Sequence, residues 1–484
     1  MNNKLNNYEQ RVKEKRKGLF VIASLTAIIF FIFGVIASSY FDLFDYSPLN
    51  EDDKNLAKLK EIYEIMKDDW YFGDEIEEDI SPYTLEDYFI DKAIWGLTTN
   101  EIDPHTGYSP VSESSSGPTC GLGILMERLY GYPLVSVVYP NSRADIGGIK
   151  ESDLIVSING ENVRGVPNST IQELVRVGCG SKLTVTVNRD NQNIDLEIGL
   201  ADFIRKSAFL KENNANYILI KLIDFSKDAD DDFIDILESE DLPNNLILDL
   251  RNNGGGDLST TVNIATSLLG ENKKVVSLVD KKGNVDTRYT NKKKHYDFEH
   301  IYILINENSA SASEVLTLAL KEHLSDKVSI IGTTSYGKGT AQHPITLSDG
   351  SSFRYTFAKW YSPINEVNIH GVGINPDYYL TSLYTEEYKD LNLDVTKEYE
   401  LHQIDETIKS IKVILNNQGY DLKTHAYFDE ELYQALLEYQ EGQLINETGK
   451  IDVVTLDYLI GLVRDEKVKE MTYQVNKAIE LMGV

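Results

Sequence analysis

Apolar and polar positions change their rhythm several times along the chain. From Gly18 to Phe41 the run GLFVIASLTAIIFFIFGVIASSYF carries no charged residue, and about 20 apolar residues suffice to span a bilayer as a helix. Residues 54–100 place Leu56, Leu59, Ile62, Tyr63 and Met66, then Tyr88, Ile90, Ala93, Ile94 and Leu97, at helical spacing, which predicts two helices. Between 119 and 200 short β-type runs alternate with glycine turns, at 121–127, 133–140, 153–160, 181–190 and 193–199. One helical run, Ser169 to Val177, sits between the third and fourth. From 201 to 385 apolar strands at 217–222, 245–250, 300–306 and 327–332 alternate with helices predicted at 229–239, 258–268 and 312–324, an α/β pattern. Residues 400–465 read as three amphipathic helices, and 466–484 as a helical tail without an evident purpose. The expected architecture is multidomain α/β: a single N-terminal transmembrane helix, an α+β domain, an α/β core and a small three-helix C-terminal domain.

Charge gives the chain a direction. Lys4, Arg11, Lys13, Lys15, Arg16 and Lys17 precede the apolar run, and Asp42, Asp45, Glu51, Asp52 and Asp53 follow it. The positive-inside rule places residues 1–17 in the cytoplasm as a tail, 18–41 in the membrane, and the helical region 42–118 with all that follows outside. Signal-peptide cores are shorter and end at small-residue sites, which are missing here, so an uncleaved anchor is expected. Among 484 residues, 47 Lys+Arg stand against 77 Asp+Glu, a formal charge of −30, which excludes the basic face of a nucleic-acid binder. Two cysteines, Cys120 and Cys179, exclude a disulfide framework or a multi-cysteine metal site. A bridge between the two and a pair of free thiols both remain open.

Three segments carry candidate chemistry. The run Asn308 to Glu314 (NSASASE) follows one predicted strand and opens a helix. Ser311 and Glu314 have the spacing of a capping box, and a serine at a helix N-terminus can also act as a nucleophile, where the dipole favours developing negative charge. Gly337-Lys338-Gly339 follows the strand at 327–332. Gly332 and Gly337-Lys338 begin like a phosphate-binding loop, but Gly339 replaces the Ser/Thr that would hold Mg²⁺. Ser335 and Lys338 are spaced like a β-lactamase pair, which the flanking glycines disfavour. Asp249 to Gly256 (DLRNNGGG) ends a strand in glycines, either a flexible turn or a loop whose Gly254 and Gly255 N–H groups could form an oxyanion hole. His-Glu-x-x-His and Gly-x-Ser-x-Gly do not occur, and the eight histidines are scattered. No cofactor or metal is expected.

The sequence Gly121-Leu122-Gly123-Ile124, with the run SRADIGGIKESDLIVSINGENV at 142–163, resembles a PDZ domain spanning 119–200. Such a loop holds a peptide's terminal carboxylate while the next strand edge adds the peptide as a further strand. DPHTGY at 103–108, before that domain, and LRNNGGG, SASASE, YGKGTAQ, the KWYSP run at 359–363 and GVGINPD at 371–377, after it, together resemble the carboxyl-terminal processing peptidases, S41 serine proteases with a Ser–Lys pair. The resemblance implies a crotonase-like core at 201–385, Ser311 as nucleophile, Lys338 as general base and Gln342 as its support. The gap between Ser311 and Lys338 is about two residues longer than usual in the family, near His323 to Lys327, which leaves Ser309 and Ser313 as alternatives. The pattern GY…FD…A…YQ…G-x-ID…T…L within 400–465 resembles a three-helix peptidoglycan-binding domain, with Leu432 where a Thr is expected. Together these imply protein or peptide substrates with apolar C-termini, a single-pass membrane attachment, peptidoglycan as a partner and the outer face of a wall-bearing bacterial cell membrane. Homodimerisation is left open. The rival readings are a catalytically inactive membrane-tethered PDZ and wall-binding scaffold, and, more weakly, a crotonase-like acyl-transfer enzyme.

Overall fold

The computed structural model describes residues 92, 95, 96, 98, 103–109, 119–175, 180–292, 294–347, 350–381 and 384–483. The expected cytoplasmic tail, the 18–41 span, most of the helical region 42–118 and Cys179 lie outside the described residues. Among the described residues no helix is long and apolar enough to cross a membrane. The chain divides into two compact units.

The first unit takes in 1–114, 279–284 and 340–359. Its described frame is antiparallel. Gly107–Ser109 pairs with one edge of Ser352–Tyr361, Gly107 opposite Arg354, and Thr340–Thr346 pairs with the other edge, Thr340 opposite Lys359. A bulge separates Ala341 from Gln342.

The second unit holds the rest, in three parts. The first is a sheet of β1 (Ile124–Leu129), β2 (Tyr132–Val138), β3 (Leu154–Ile158), β4 (Lys182–Arg189) and β5 (Gln192–Gly199), in that order. Its helices are the short α1 (Arg143–Ile146), which the sequence did not announce, and α2 (Asn168–Val175). Val135, Ile155, Ile158, Ile171, Val185 and Val187 build its core, with Ile124, Met126, Leu174 and Val175 half-buried around it. This alternation of inward and outward residues is what one covered sheet face demands.

The second part is a six-stranded sheet of β6 (Ala208–Asn213), β7 (Tyr217–Leu222), β8 (Asn245–Asp249), β9 (His300–Ile305), β10 (Val328–Gly332) and β11 (Tyr378–Tyr379), in that order. β6 runs antiparallel to β7, and all other pairs are parallel. The crossovers contain α3 (Ala229–Ser239), α4 (Leu258–Leu269) and α5 (Ala312–Leu324). Strands covered on both faces read as continuous apolar runs, as YILIKL and HIYILI do.

The third part consists of α6 (Glu406–Asn416), α7 (Glu430–Gly442) and α8 (Val453–Met482). Their apolar faces share one core with Leu129, Tyr132, Leu134, Leu154 and Val156 of the first sheet. Asp457 of α8 anchors the junction: it accepts the Tyr132 hydroxyl at 2.9 Å and the Arg164 Nε at 2.7 Å. The break expected at 465/466 is absent, because α8 runs through it for 30 residues. Its far end covers Tyr217, Ile247, Tyr302, Leu304 and Ile331, alternate residues on one face of the six-stranded sheet.

Candidate active site

The three segments singled out in the sequence leave the carboxyl ends of three neighbouring parallel strands: DLRNNGGG after β8, NSASASE after β9 and the GKG loop after β10. Loops at that edge are where open α/β sheets assemble their sites.

Ser311 is the N-cap of α5, with φ 56° and ψ −113°. A non-glycine residue in this conformation stores strain of about 1–3 kcal/mol, and it persists only where the surroundings impose it. The alternatives Ser309 and Ser313 are both fully buried. Ser309 Oγ donates to the Leu250 carbonyl at 2.9 Å, and Ser313 Oγ to the Asn253 carbonyl at 2.8 Å. Their protons are spent on holding the glycine loop, whereas Ser311 is half-buried.

The Glu314 arm of the capping box closes, since the Ser311 N–H donates to Glu314 Oε2 at 2.7 Å. The carboxylate does more than cap. Oε2 also accepts the Lys338 N–H at 2.9 Å, and Oε1 accepts the Gly337 N–H at 2.7 Å and the Ser335 hydroxyl at 2.6 Å. Burial pushes the Glu314 carboxyl up, and the hydrogen bonds from Ser335, Gly337, Ser311 and Lys338 pull it back without cancelling that effect. The carbonyl of half-buried Lys338 accepts the Trp360 indole N–H at 2.7 Å, so its peptide groups are fixed on both sides. The flanking glycines are required by the close approach of the 368–373 backbone. A Cβ at Gly337 would lie 2.7 Å from the Gly373 nitrogen, and one at Gly339 would lie 2.6 Å from the His370 nitrogen.

The glycine loop lies against the serine. A Cβ on Gly255 would meet the Ala310 oxygen at 2.7 Å and Ser311 Cβ at 2.9 Å. Fully buried Asn253 ties the two together: its carbonyl accepts the Ala310 N–H at 3.0 Å, and its Oδ1 accepts the Gly255 N–H at 2.9 Å. The Gly255 donor is therefore engaged within its own loop, while Gly254 is exposed. Beneath the loop Lys221, Asp249 and Arg251 form a buried cluster, with Asp249 Oδ2 2.7 Å from Arg251 Nη2 and Asp249 Oδ1 3.3 Å from Lys221 Nζ. Burial pushes Asp249 up, but Arg251 and Lys221 override it and hold the carboxyl far below its ordinary value. Burial lowers Lys221, with Asp249 opposing.

Gln342 belongs to the first unit. There its Nε2 donates to Thr340 Oγ1 at 3.0 Å and Thr356 Oγ1 at 3.1 Å. Thr356 Oγ1 donates onward to Asp103 Oδ1 at 3.0 Å. Partial burial works to raise Asp103, and hydrogen bonds from Thr106, Thr356 and His105 outweigh it and hold the carboxyl low. The DPHTGY segment thus supports Gln342 through Thr356.

In the first sheet of the second unit, Gly121 to Ile124 lead into edge strand β1, which has β2 on one side and no described strand on the other. Gly123 has φ +78°, and a Cβ there would lie 2.3 Å from Ser142 Cβ. Leu122 is buried and its carbonyl accepts the Ala144 N–H at 2.9 Å. Half-buried Ile124 and Met126 of β1, with Leu174 and Val175 of α2, give that edge an apolar lining. The roles of Glu314, Asn253 and Trp360 escaped the sequence reading. Only Glu314 left a signal, its capping-box spacing.

Residues 216–380 match the profile of peptidase family S41, and residues 134–189 that of the PDZ domain. The chain is 30% identical over 463 residues to a probable CtpA-like serine protease of Staphylococcus aureus, covering 93% of this chain and 89% of that one. It is 28% identical over 462 residues to the corresponding protein of Staphylococcus saprophyticus, covering 92% and 90%. Among solved structures, the photosystem II D1 C-terminal processing protease aligns over 65% of this chain and 88% of that one, with 23% identity and a TM-score of 0.41.

Proposed function

The chain belongs to peptidase family S41 and is a CtpA-like serine protease with a PDZ domain, and from that premise we propose that Ser311 is its nucleophile and Lys338 its general base. The observation that carries the reading is the single Glu314 carboxylate oxygen on which the Ser311 and Lys338 backbones both rest. A lysine has an ordinary pKa near 10.4 and must lose its proton to serve as a base. In the proposed cycle neutral Lys338 takes the Ser311 proton, and Ser311 Oγ attacks the peptide carbonyl. The Gly254 N–H, and the Gly255 N–H once it leaves Asn253, stabilise the oxyanion. Charged Lys338 then protonates the leaving amine, and water cleaves the acyl-enzyme.

Substrate choice follows from the open edge of β1 and its apolar lining. A substrate's free C-terminus with apolar side chains adds to β1, its carboxylate held by Gly121, Leu122 and Gly123 and its first paired residue beside Ile124. An N-terminal membrane anchor, an extracytoplasmic catalytic part and a wall-binding role for the three C-terminal helices complete the reading; the charge asymmetry around 18–41 and the sequence pattern of 400–465 support them. Lys338→Arg tests the centre of it, because guanidinium stays charged. Cleavage of an unfolded protein with an apolar C-terminus is expected to vanish, and an active variant removes Lys338 from the role of base.

A further inference from the structure

We propose that α8 belongs to the catalytic apparatus and that Gln474 is a positioning residue for the glycine loop, an inference that rests on the site reading above. Arg251 opens that loop, and its side chain is buried. Nε and Nη2 face Asp249 at 2.9 and 2.7 Å. Nη1 leaves its own sheet for α8, where it donates to the Met471 carbonyl at 2.7 Å and to Gln474 Oε1 at 3.0 Å. Lys221 Nζ holds the Arg251 carbonyl at 2.7 Å. Arg251 is thus fixed from its sheet and from the last helix at once. Two residues on, Asn253 carries the Gly255 N–H and the Ala310 N–H, next to Ser311.

The same helix reaches the PDZ sheet. Lys467 pairs with Glu127 of β1 at 2.9 Å. Positions 467, 471 and 474 form one stripe along a helix. The strand with the open edge and the loop beside the nucleophile are therefore tied to one face of one rigid element. A cavity of about 100 Å³ lies where they meet, lined among others by Glu127, Lys221, Arg251, Asn252, Lys467 and Met471. It gives Arg251 space to shift when its partner on α8 is lost, and the loop shifts with it. Gln474 is itself 1% exposed, and inside the fold its side-chain oxygen accepts from Arg251.

Two full-length variants test this against wild type on one unfolded protein with an apolar C-terminus, with kcat, KM and the thermal midpoint measured for each. Gln474→Leu keeps the volume and removes the acceptor, and Gln474→Glu keeps an acceptor for Arg251. Gln474→Leu is expected to lower kcat roughly 10–100-fold with KM and thermal midpoint retained, and Gln474→Glu to recover most of that loss. A wild-type kcat in Gln474→Leu overturns the proposal, as does an equal fall of kcat and thermal midpoint in both variants, which marks mere packing. Ser311→Ala in the same assay reports separately on the nucleophile. Turnover there removes the site reading whatever Gln474 does.

Discussion

Ser311 and Lys338 rest on the same oxygen atom: Glu314 Oε2 accepts the N–H of the first at 2.7 Å and of the second at 2.9 Å. Their separation is set by one buried acceptor instead of by the length of chain between them. That accounts for the extra residues near His323 to Lys327. They fall at the far end of α5 and in the turn Ser325–Lys327, about 20 Å along a helix of 1.5 Å rise from the capped serine.

Glu314→Gln therefore reports on the pair without touching either member. Four donors converge on the carboxylate, and a carboxamide must turn its own NH₂ toward some of them. The expected result is a loss of about 10²-fold in kcat with a stability loss of about 1–3 kcal/mol, read by steady-state kinetics and denaturant unfolding. Wild-type kcat in a folded variant would detach Glu314 from the site geometry.

The three serines of the motif separate by experiment. Ser311→Ala is expected to abolish turnover and leave the unfolding midpoint near wild type. Ser311→Gly is equally inactive and more stable by about 1 kcal/mol, since glycine takes a positive φ without strain. Ser309→Ala loses about 1–3 kcal/mol by orphaning the Asn306 N–H and leaving the buried Leu250 carbonyl with the Asn253 N–H as its remaining donor, and keeps measurable turnover. The reverse ranking of Ser311 and Ser309 in a turnover assay counts against the assignment.

Gly373→Ala strikes the back of the lysine loop. Its φ is +78°, and a Cβ there would lie 2.2 Å from the Ser335 oxygen. Ser335 is the residue whose hydroxyl lies on Glu314. The variant is expected to lose about 1–3 kcal/mol and most of its activity, whereas Gly371→Ala, with no atom near its added Cβ, bears only the cost of its φ of +72°. Thermal melts with activity assays on both variants decide it.

Acid stability follows from Asp249. Its folded value lies far below the ordinary 3.8 because Arg251 and Lys221 prevail over burial. Between the two values the unfolded chain binds the extra proton, so the contribution is full above about pH 5 and shrinks as pH falls through 3.8 and beyond. Asp249→Asn is expected to cost about 3–5 kcal/mol at pH 7, by leaving two buried cations without their partner, and to flatten the acid slope. Urea midpoints from pH 7 to pH 3 give both quantities, and parallel slopes in variant and wild type would contradict this account.

Much of the frame was legible in the sequence because local pattern and tertiary environment agree. Strand Tyr217–Leu222 and helices Ala229–Ser239 and Ala312–Leu324 begin and end where apolar runs and capping residues say they should. Ser311, Lys338 and the glycine loop stood out as candidates by residue type and spacing, while their roles were only implied by the family resemblance. The hidden parts depend on strands distant in sequence lying side by side. Nothing local to Glu314 says that β10 will bring the GKG backbone to its carboxylate. The length of α8 was hidden for another reason. Leu456, Leu459, Ile460 and Val463 serve one core and Ala478 another, with the charged stretch Arg464 to Glu470 between them. A helix that changes partners midway loses its single apolar stripe there, and its sequence imitates an end.

That helix also closes the sheet with its last turn. Ile479, Leu481 and Met482 lie packed against Ala478, Tyr302 and Ile331. Loosening that last turn would uncover one face of the six-stranded sheet, so the helix that holds Arg251 also seals the core behind the glycine loop.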